Sequence, residues 1–369
     1  MRIQSLRLAC FRNYERAAFT PADGITVLHG ENAQGKTNLI EAIHLCCVGR
    51  SHRTTHDQDL IRWENRAAQI ALTVERREGP REIKVRIAQE GRPRKTIRID
   101  GAPIQRIGEL MGHVNAVLFS PEDLRIVKEG PEGRRRFLDM EISQLQPAYF
   151  YALQRYMRAL TQRNGLLKRL KQDGGSALRD TLDAWDALLV EAGAQIIARR
   201  IAYLRQLSEA AARVHDVLSN GRESLTLAYE SRAASGEALA AMLLSTRQED
   251  LRRASTGVGP HRDDCRLSLN NRDARAFASQ GQQRTIALSL KLAEIEVMRG
   301  ALGETPILLL DDVMSELDIN RRQMLLTRIE PMQTLITCTH LSDLGGAGFD
   351  AAYRVEGGAL FARDNSHSN

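Results

Sequence analysis

Residues 25–48 read ITVLHGENAQGKTNLIEAIHLCCV, and this stretch decides the fold. Its first part, ITVLHG, is a short apolar run that ends in glycine, which is typical of a buried strand. From Thr37 onward, apolar residues recur at helical spacing. Between these parts, residues 30–37 fit the pattern G-x-x-x-x-G-K-[ST] at every fixed position. The stretch therefore predicts a strand, a phosphate-binding loop and a helix in direct succession.

The fixed residues of this P-loop predict a site for ATP and Mg²⁺. Glycines allow the backbone to wrap closely around phosphates with its N–H groups pointing inward. Lys36 is expected to reach the outer phosphates, and the hydroxyl of Thr37 is expected to bind Mg²⁺. The positive N-terminus of the following helix faces the same anion. The candidate ATP contacts along this stretch are Gly30, Glu31, Asn32, Ala33, Gln34, Gly35, Lys36, Thr37 and Asn38.

A second apolar run, TPILLLDD (305–312), ends in two acidic residues. A P-loop needs a carboxylate at the end of another strand to orient the metal ion, and Asp311 fits that position. Asp312 follows where a general base or a water-positioning acid is needed. Alone, the run is less often a strand capped by solvated acids than a metal site, and a P-loop in the same chain favours the metal site further.

The stretch Ser279-Gln280-Gly281-Gln282 leads into an apolar pattern of helical period. By itself it is typical of a solvated loop, although a Ser-x-Gly-Gln loop that opens a helix can also hold phosphate. It precedes TPILLLDD, whereas Ser315-Glu316-Leu317-Asp318 follows that strand. The next apolar run, QTLITCTH (333–340), ends at His340, and a lone histidine there is more typical of a structural residue.

In this order the motifs resemble the parts of the ABC-type ATPases. In those proteins the P-loop of one subunit faces the signature loop of the other. The resemblance implies that Ser279, Gln280, Gly281 and Gln282 act in trans and that Asp318 lies at the dimer seam. It also implies that His340 is the switch histidine, so the expected catalytic residues are Lys36, Asp312 and His340.

Four further stretches narrow the resemblance to the bacterial RecF family. They are FRNY (11–14), PEDLRIVKEGPEGRRRFLD (121–139), GVGPHRDD (257–264) and DDVMSELDINRRQMLL (311–326). The similarity runs essentially from end to end. It implies an ATPase related to the heads of SMC and Rad50 proteins, which forms a homodimer on ATP binding and has weak DNA-stimulated hydrolysis. It further implies sequence-independent binding to double-stranded or gapped DNA, with RecO and RecR as partners in loading RecA.

The resemblance also implies roles for two positions outside these motifs. Arg12 is expected to reach the nucleotide phosphates, although an arginine facing water at a strand end accounts for it equally well. No glutamine stands where an ABC protein has its Q-loop, after the apolar run VLFS (117–120). Glu122 is the expected substitute.

Basic clusters give the candidate DNA contacts. Arg134, Arg135 and Arg136 form the densest run, while Arg92, Arg94 and Lys95 form a basic turn. Such runs are more often solvated faces of helices or turns. If they bind phosphates, the binding should weaken steeply with salt and be nearly blind to sequence.

The periodicity along the chain divides it into three segments. Residues 68–100 alternate with a period of two and predict an antiparallel meander with one wet face. From about residue 134 to 218 the pattern is helical, broken only at KQDGGSA (171–177), which predicts a pair of long helices. The predicted domains are 1–105 and 257–369, the two halves of an α/β ABC-type ATPase head, and 106–256, a mainly α-helical insertion.

The composition is that of a soluble globular protein, 43% hydrophobic and 27% charged. No apolar run is long enough to cross a membrane. The five cysteines show no metal-ligand spacing, which favours reduced thiols and a cytoplasmic location. A net charge of +6 permits a polyanionic partner. The alternatives left open are an ATP-binding subunit of a transporter and a nucleotide-gated interaction module with negligible turnover.

Overall fold

The structure is a computed structural model and describes residues 1–173, 179–329 and 332–363. Its strands, numbered in chain order, are β1 Arg2–Phe11, β2 Tyr14–Phe19, β3 Ile25–His29, β4 Ala67–Glu75, β5 Arg81–Ala88, β6 Lys95–Ile99, β7 Ala102–Pro103, β8 Ala116–Phe119, β9 Leu225–Glu230, β10 Asp264–Leu269, β11 Arg272–Asp273, β12 Ile307–Leu310, β13 Thr334–Cys338, β14 Ala351–Glu356 and β15 Ala359–Ala362. Its α-helices are α1 Lys36–Val48, α2 Leu124–Lys128, α3 Pro131–Leu145, α4 Pro147–Asp173, α5 Arg179–Leu218, α6 Gly236–Ser245, α7 Arg247–Arg253, α8 Ala274–Phe277, α9 Gln280–Leu302 and α10 Ile319–Ile329.

The chain divides into two compact units. The first comprises Met1–Asp123 and Glu294–Asn369, and the second comprises Leu124–Ala293. These limits differ from the predicted boundaries after residues 105 and 256. Strand β8 completes a sheet of the first unit and so keeps residues 106–123 with it. Strand β10 pairs with β9, which keeps the start of the predicted third segment in the second unit.

A mainly parallel sheet forms the base of the first unit. Its strand order is β15-β14-β3-β13-β12-β8, and every neighbouring pair except the β14–β15 hairpin is parallel. Strands β12 and β13 are buried along their whole length, as expected of strands covered on both faces. Because neighbouring parallel strands end at the same edge, the residues that follow β3, β8, β12 and β13 meet there.

The second sheet of this unit has the order β2-β1-β4-β5-β6-β7 and is antiparallel. Buried and less buried residues alternate along β4 and β5, so one face of the sheet packs inward and the other meets solvent. Strands β4, β5 and β6 confirm the meander that the alternating pattern predicted.

Helix α1 lies between the two sheets. It packs against β4 and β5 of the antiparallel sheet and against β8 and β13 of the parallel sheet. Eleven of its thirteen residues are buried, most of them apolar, and the buried set also includes Lys36 and Glu41. The helix ends at Gly49, whose φ of 72° is the left-handed conformation that glycine adopts without strain.

The second unit is built on α4 and α5, which pack along each other and confirm the predicted pair of long helices. Residues 174–178, where the predicted Gly-Gly turn falls, lie outside the described residues. This unit also contains a three-stranded antiparallel sheet with the order β11-β10-β9. Strand β9 was not predicted, because its six residues give only a short alternating pattern within a segment that is otherwise helical.

Two buried arginines connect the elements of the second unit. Arg163 on α4 is 0% exposed and donates hydrogen bonds to Asp186 (2.5 Å), Asp250 (2.7 Å) and Thr256 (2.9 Å). Arg200 on α5 donates to the carboxylate of Asp139 (2.8 Å) and to a backbone carbonyl. Buried charges are tolerated only when they are paired and hydrogen-bonded in this way.

All five cysteines of the chain are free. Four of them, Cys46, Cys47, Cys265 and Cys338, are buried. Burial raises the pKa of the Cys265 and Cys338 thiols to about 12.

No helix within residues 1–173, 179–329 and 332–363 is long and apolar enough to cross a membrane.

We expect Arg163→Met to lower the free energy of unfolding by about 3–5 kcal/mol, because it leaves the carboxylate of Asp250 buried without its cation. The matched control is Arg155→Met on the same helix, whose ion pair with Glu191 is more than half exposed on both sides. Such a surface pair contributes about 0–1 kcal/mol. Urea unfolding of both variants measures the difference, and equal losses would show that the buried network contributes no more than a surface pair.

Candidate functional site

The candidate site lies at the carboxyl edge of the parallel sheet. The P-loop follows β3, the pair Asp311 and Asp312 follows β12, and His340 comes two residues after the end of β13. Strand β13 lies between the other two strands. Neighbouring strands are about 4.8 Å apart, so the sheet brings motifs that are some 300 residues apart in the chain within reach of one another.

Two glycines set the path of the P-loop. Gly30 and Gly35 have φ angles of 149° and 120°, which favour glycine. A Cβ atom on Gly30 would lie 2.4 Å from the carbonyl oxygen of Val355, and one on Gly35 would lie 2.7 Å from Nδ2 of Asn13. Both positions therefore require glycine for backbone conformation and for space.

The ammonium group of Lys36 is held inside the P-loop. It donates hydrogen bonds to the carbonyl oxygens of Gly30 (2.6 Å) and Glu31 (3.0 Å), and only 4% of the residue is exposed. Lys36 is also the first residue of α1, whose N-terminus carries a partial positive charge. The lysine and the helix end together favour an anion at this loop.

The turn between β1 and β2 packs against the P-loop and hydrogen-bonds to its backbone. Asn13 donates from Nδ2 to the carbonyl of Gln34 (2.7 Å) and accepts from Nδ2 of Asn38 (2.8 Å). The buried Tyr14 donates its hydroxyl to the carbonyl of Gly35 (3.0 Å). Burial raises the pKa of Tyr14, so the hydroxyl stays protonated as a donor. These contacts explain why FRNY accompanies the P-loop in the sequence.

Asp311 links α1 to two strands of the parallel sheet. Its Oδ1 atom accepts hydrogen bonds from the hydroxyls of Thr37 (2.9 Å) and Thr337 (2.8 Å). Thr37 is the second residue of α1, and Thr337 lies on β13. Burial raises the pKa of Asp311, and the two hydroxyls only partly oppose that shift.

Asp312 has a left-handed backbone conformation, with a φ of 53°. Its N–H donates to Oγ1 of Thr337 (2.8 Å), and its carbonyl oxygen accepts from the hydroxyl of Ser315 (3.0 Å). Unlike Asp311, it is partly exposed. Unfavourable backbone conformations that are held by such contacts cluster at functional positions.

Arg12, which is partly exposed, forms an ion pair with the buried Glu41 in the first unit. Its guanidinium donates two hydrogen bonds to Glu41 on α1, at 2.8 and 2.7 Å, and one to the carbonyl of Asp59. Ser51 and Arg53 also contact Glu41. Burial raises the pKa of Glu41, but the hydrogen bonds from Arg12 and Ser51 and the charges of Arg12 and Arg53 together hold it below its ordinary value. Arg12 is thus fixed beside the first turns of α1, and its contact with phosphates stays a prediction.

The predicted Q-loop substitute, D-loop and switch residues are exposed. His340 is exposed, and its backbone N–H donates to Asp343 at 2.9 Å. Glu122 is exposed in the turn that follows β8, the strand beside β12. Asp318 accepts from the backbone N–H of Arg321 at the start of α10. Asp318 also forms an ion pair with Arg321 (2.8 Å). The roles of all three residues stay predictions.

The predicted signature stretch lies in the second unit at the N-terminus of α9. The N–H of Ser279 donates to Oε1 of Gln282 (2.8 Å), and the N–H of Gln282 donates to Oγ of Ser279 (3.3 Å), which is a reciprocal helix cap. The amide of Gln282 also donates to Glu223 (2.8 Å), which contacts His215. Ser279, Gln280 and Gly281 are exposed, and a Cβ atom on Gly281 would meet open space.

Two of the candidate DNA contacts have hydrogen-bond partners within the protein. Arg134 is buried, donates two hydrogen bonds to Asp264 (2.7 and 2.8 Å) and also contacts backbone carbonyls. Lys95 is engaged with Asp57 and the carbonyl of Gly49. Contact with DNA would require breaking these bonds, and the roles of both residues at DNA stay predictions. Arg135 donates to the carbonyl of Asp263.

The remaining candidates, Arg92, Arg94 and Arg136, are exposed.

The residues at the edge of the sheet fit Mg²⁺ and a nucleotide phosphate. The hydroxyl of Thr37 and the carboxylate of Asp311 are hard oxygen ligands that already lie within hydrogen-bonding distance of each other. Mg²⁺ is usually bound by one or two carboxylates together with phosphate oxygens and water. Accordingly, no group of three or more His, Cys, Asp or Glu residues in the described parts of the chain could hold a metal ion by itself.

Sequence reasoning missed Thr337 and Glu41. Thr337 hydrogen-bonds to Asp311 and to the backbone of Asp312, while Glu41 anchors Arg12. Thr337 stands inside an apolar strand, and Glu41 stands inside an apolar helix. A polar residue within such a run is the one signal that could have marked them, because it must find a partner when it is buried.

Comparison with known proteins gives consistent matches over the whole chain. The model of the RecF/RecN/SMC N terminal domain matches residues 2–355. The DNA replication and repair protein RecF of Acetivibrio thermocellus is 41% identical over 372 residues, covering 98% of this chain and 100% of that protein.

Solved structures agree with these matches. The recombination mediator protein RecF with ATP, of the RecFOR pathway, has a TM-score of 0.91 at 36% identity and covers 98% of this chain and 97% of that chain. An Smc head domain from Pyrococcus furiosus shares the fold, with a TM-score of 0.57 at 17% identity over 98% and 96% of the two chains. The predicted fold class, an ABC-type P-loop ATPase head with a helical second unit, is confirmed, as is the resemblance to the RecF family.

We expect Asp311→Asn to raise the thermal midpoint of the ligand-free protein at neutral pH. Burial raises the pKa of Asp311 in the folded state, so its charge costs stability above that pKa, and the cost disappears when the carboxyl is protonated. An asparagine oxygen can still accept from both threonines. The gain should therefore shrink as the pH falls, which calorimetry across a pH series measures. A variant less stable than the wild type at neutral pH would contradict this account.

Proposed function

The chain belongs to the RecF family of DNA replication and repair proteins, and from this membership we propose that it is an ATP-driven dimer that closes on DNA. ATP binding drives two copies of the chain to dimerise around DNA, and slow hydrolysis of ATP then releases the DNA. In this proposal the chain acts at single-strand gaps or junctions and helps RecO and RecR to load RecA.

The contact between Thr37 and Asp311 is the observation that carries the ATP site. It places two oxygen ligands next to Lys36 and the N-terminus of α1. In the proposal these two residues hold Mg²⁺, which when bound neutralises charge on the phosphate oxygens. Lys36 leaves the carbonyls of Gly30 and Glu31 to bind the outer phosphates, and the N–H groups of the P-loop turn toward the same oxygens.

Asp312 is proposed to orient the attacking water. Its backbone is fixed through Thr337 and Ser315, whereas its carboxylate remains accessible. A base has to lie within hydrogen-bond reach of the proton that it accepts, and residue 312 directly follows the proposed metal ligand. His340, exposed beyond the neighbouring strand β13, is proposed to contact the outer phosphate.

The exposure of Ser279, Gln280 and Gly281 supports their action on the nucleotide of a second copy. Their loop opens a helix of 23 residues, which Ser279 and Gln282 cap, and Gln282 also donates to Glu223. Ser279 and the N–H of Gly281 are therefore available to a phosphate in trans. A nucleotide that contacts both subunits only in the dimer shifts the equilibrium toward the dimer.

The RecF protein solved with ATP is described as part of the RecFOR pathway. This supports the proposal that RecO and RecR are partners of this chain. Family membership removes the basis for a transporter subunit. The nucleotide-gated module with negligible turnover remains the second candidate, and the two aspartates after β12 oppose it, because binding alone needs only one of them.

Ser279→Arg should leave ATP binding by a single subunit intact yet prevent ATP from holding two subunits together. The larger cationic side chain fills the space that the partner's phosphate would enter. Sedimentation of the variant with and without ATP and gapped DNA measures this, and Lys36→Met serves as the control that loses both ATP binding and the dimer. If ATP still dimerised the Ser279→Arg variant, residues 279–282 would be better interpreted as a solvated loop than as a signature motif.

Asp312→Asn should keep ATP binding and accumulate the ATP-bound dimer, because the amide cannot accept a proton from water. We expect the rate of phosphate release to fall by about 10²–10⁴-fold, the usual contribution of general base catalysis. Phosphate release and sedimentation of the same sample test both parts. Hydrolysis at the wild-type rate would refute the assignment of Asp312.

A further inference from the structure

The solvent face of the antiparallel sheet contains a basic depression that the nucleotide site does not use. The depression has a volume of about 660 Å³, and its basic lining residues are Arg7, Lys84, Arg86 and Arg98. Four of its eleven lining residues are basic, and none is acidic. Protein surfaces usually mix charges of both signs, so this one-sided lining requires an explanation.

Strand pairing places like charges side by side on this face. Lys84 on β5 is the direct register partner of Arg98 on β6, and Ala71 on β4 pairs with both Lys84 and Arg7. Like charges directly opposite each other destabilise a sheet. The arrangement therefore costs stability in the free protein, and an anion bound between these side chains would offset that cost.

The adjacent register row extends the basic face to the edge strand. Arg16 on β2 pairs with Ala9, Ala9 pairs with Gln69, and Gln69 pairs with Arg86. The middle of both rows is thus formed by alanine or glutamine, while the basic residues stand to either side. Ala9 and Ala71 have short side chains, so between the basic residues the face is low at these two positions.

Acidic residues neutralise only part of this charge. Glu82 pairs with Lys84 (2.7 Å) and more loosely with Arg7 (3.7 Å). Arg16, Arg86 and Arg98 are exposed and form no ion pair with any residue that the structure describes. Guanidinium groups in this state can bind phosphate oxygens through two parallel hydrogen bonds.

We propose that this face binds the backbone phosphates of double-stranded DNA. Arg16 and Arg98 are separated by four strand spacings, about 19 Å, which exceeds the width of about 12 Å of the B-DNA major groove. The arginines can therefore reach phosphates on both sides of a groove. The proposal rests on the proposed DNA binding of the chain, and it adds to the exposed Arg92 and Arg94, which lie in the turn that joins β5 to β6 of the same sheet.

The test is Arg86→Ala combined with Arg98→Ala in the full chain with ATP, titrated with duplexes of two unrelated sequences at several salt concentrations. We expect weaker binding by the same factor for both sequences. The slope of log affinity against log salt should fall by about 1.8, which is about 0.9 for each lost phosphate contact. The matched control is Arg77→Ala with Arg299→Ala, which removes two exposed arginines of the same unit outside the face.

Three outcomes separate this inference from the proposed function. A loss of affinity and slope in the face variant, with the control unchanged and ATP-driven dimerisation intact, supports it. Wild-type affinity and slope in the face variant would overturn it, leave DNA binding by the chain intact and make an acidic protein the better candidate for this face. Failure of the wild-type protein to bind either duplex would overturn both the inference and the proposed function.

Discussion

The candidate nucleotide site depends on one buried carboxylate. Oδ1 of Asp311 accepts from Thr37 at the start of α1 and from Thr337 on β13, while the residue itself follows β12. Burying a carboxylate costs free energy, which the two hydroxyls offset only in part. The same two hydrogen bonds fix the N-terminus of α1 relative to the sheet. The path of the P-loop and the position of Lys36 therefore depend on a carboxylate whose burial costs free energy.

The parts of the site that could be predicted from the sequence are those fixed within one short stretch. The P-loop and the acids after β12 follow from spacing and residue type alone. Thr337 and Glu41 could not be predicted, because their partners come from other elements and only the fold brings them together. The same limit explains why the predicted domain boundary after residue 105 differs from the observed one. Strand β8 belongs to the parallel sheet only through its pairing with β12, which the sequence does not show.

For a similar reason, a run of arginines in the sequence does not show which of the side chains are exposed. Three consecutive arginines on a helix point in different directions, since each residue turns the helix by about 100°. Arg134 consequently faces inward and is buried, while Arg136 is exposed. Arg12, Arg163 and Arg200 also serve as multidentate cations inside the protein. A planar group with five donors suits such positions better than lysine does. The basic face of the antiparallel sheet emerges only when strand register is known.

The buried cysteines allow local unfolding of each unit to be measured by alkylation of their thiols. Cys46 and Cys47 lie in the helix between the two sheets, Cys338 ends β13, and Cys265 lies on β10 of the second unit. A buried thiol with a raised pKa reacts with an alkylating reagent only when the surrounding structure opens. The rate at which each thiol is modified therefore measures local unfolding around it. Peptide mapping of the modified sites would report the two units separately in the unaltered chain.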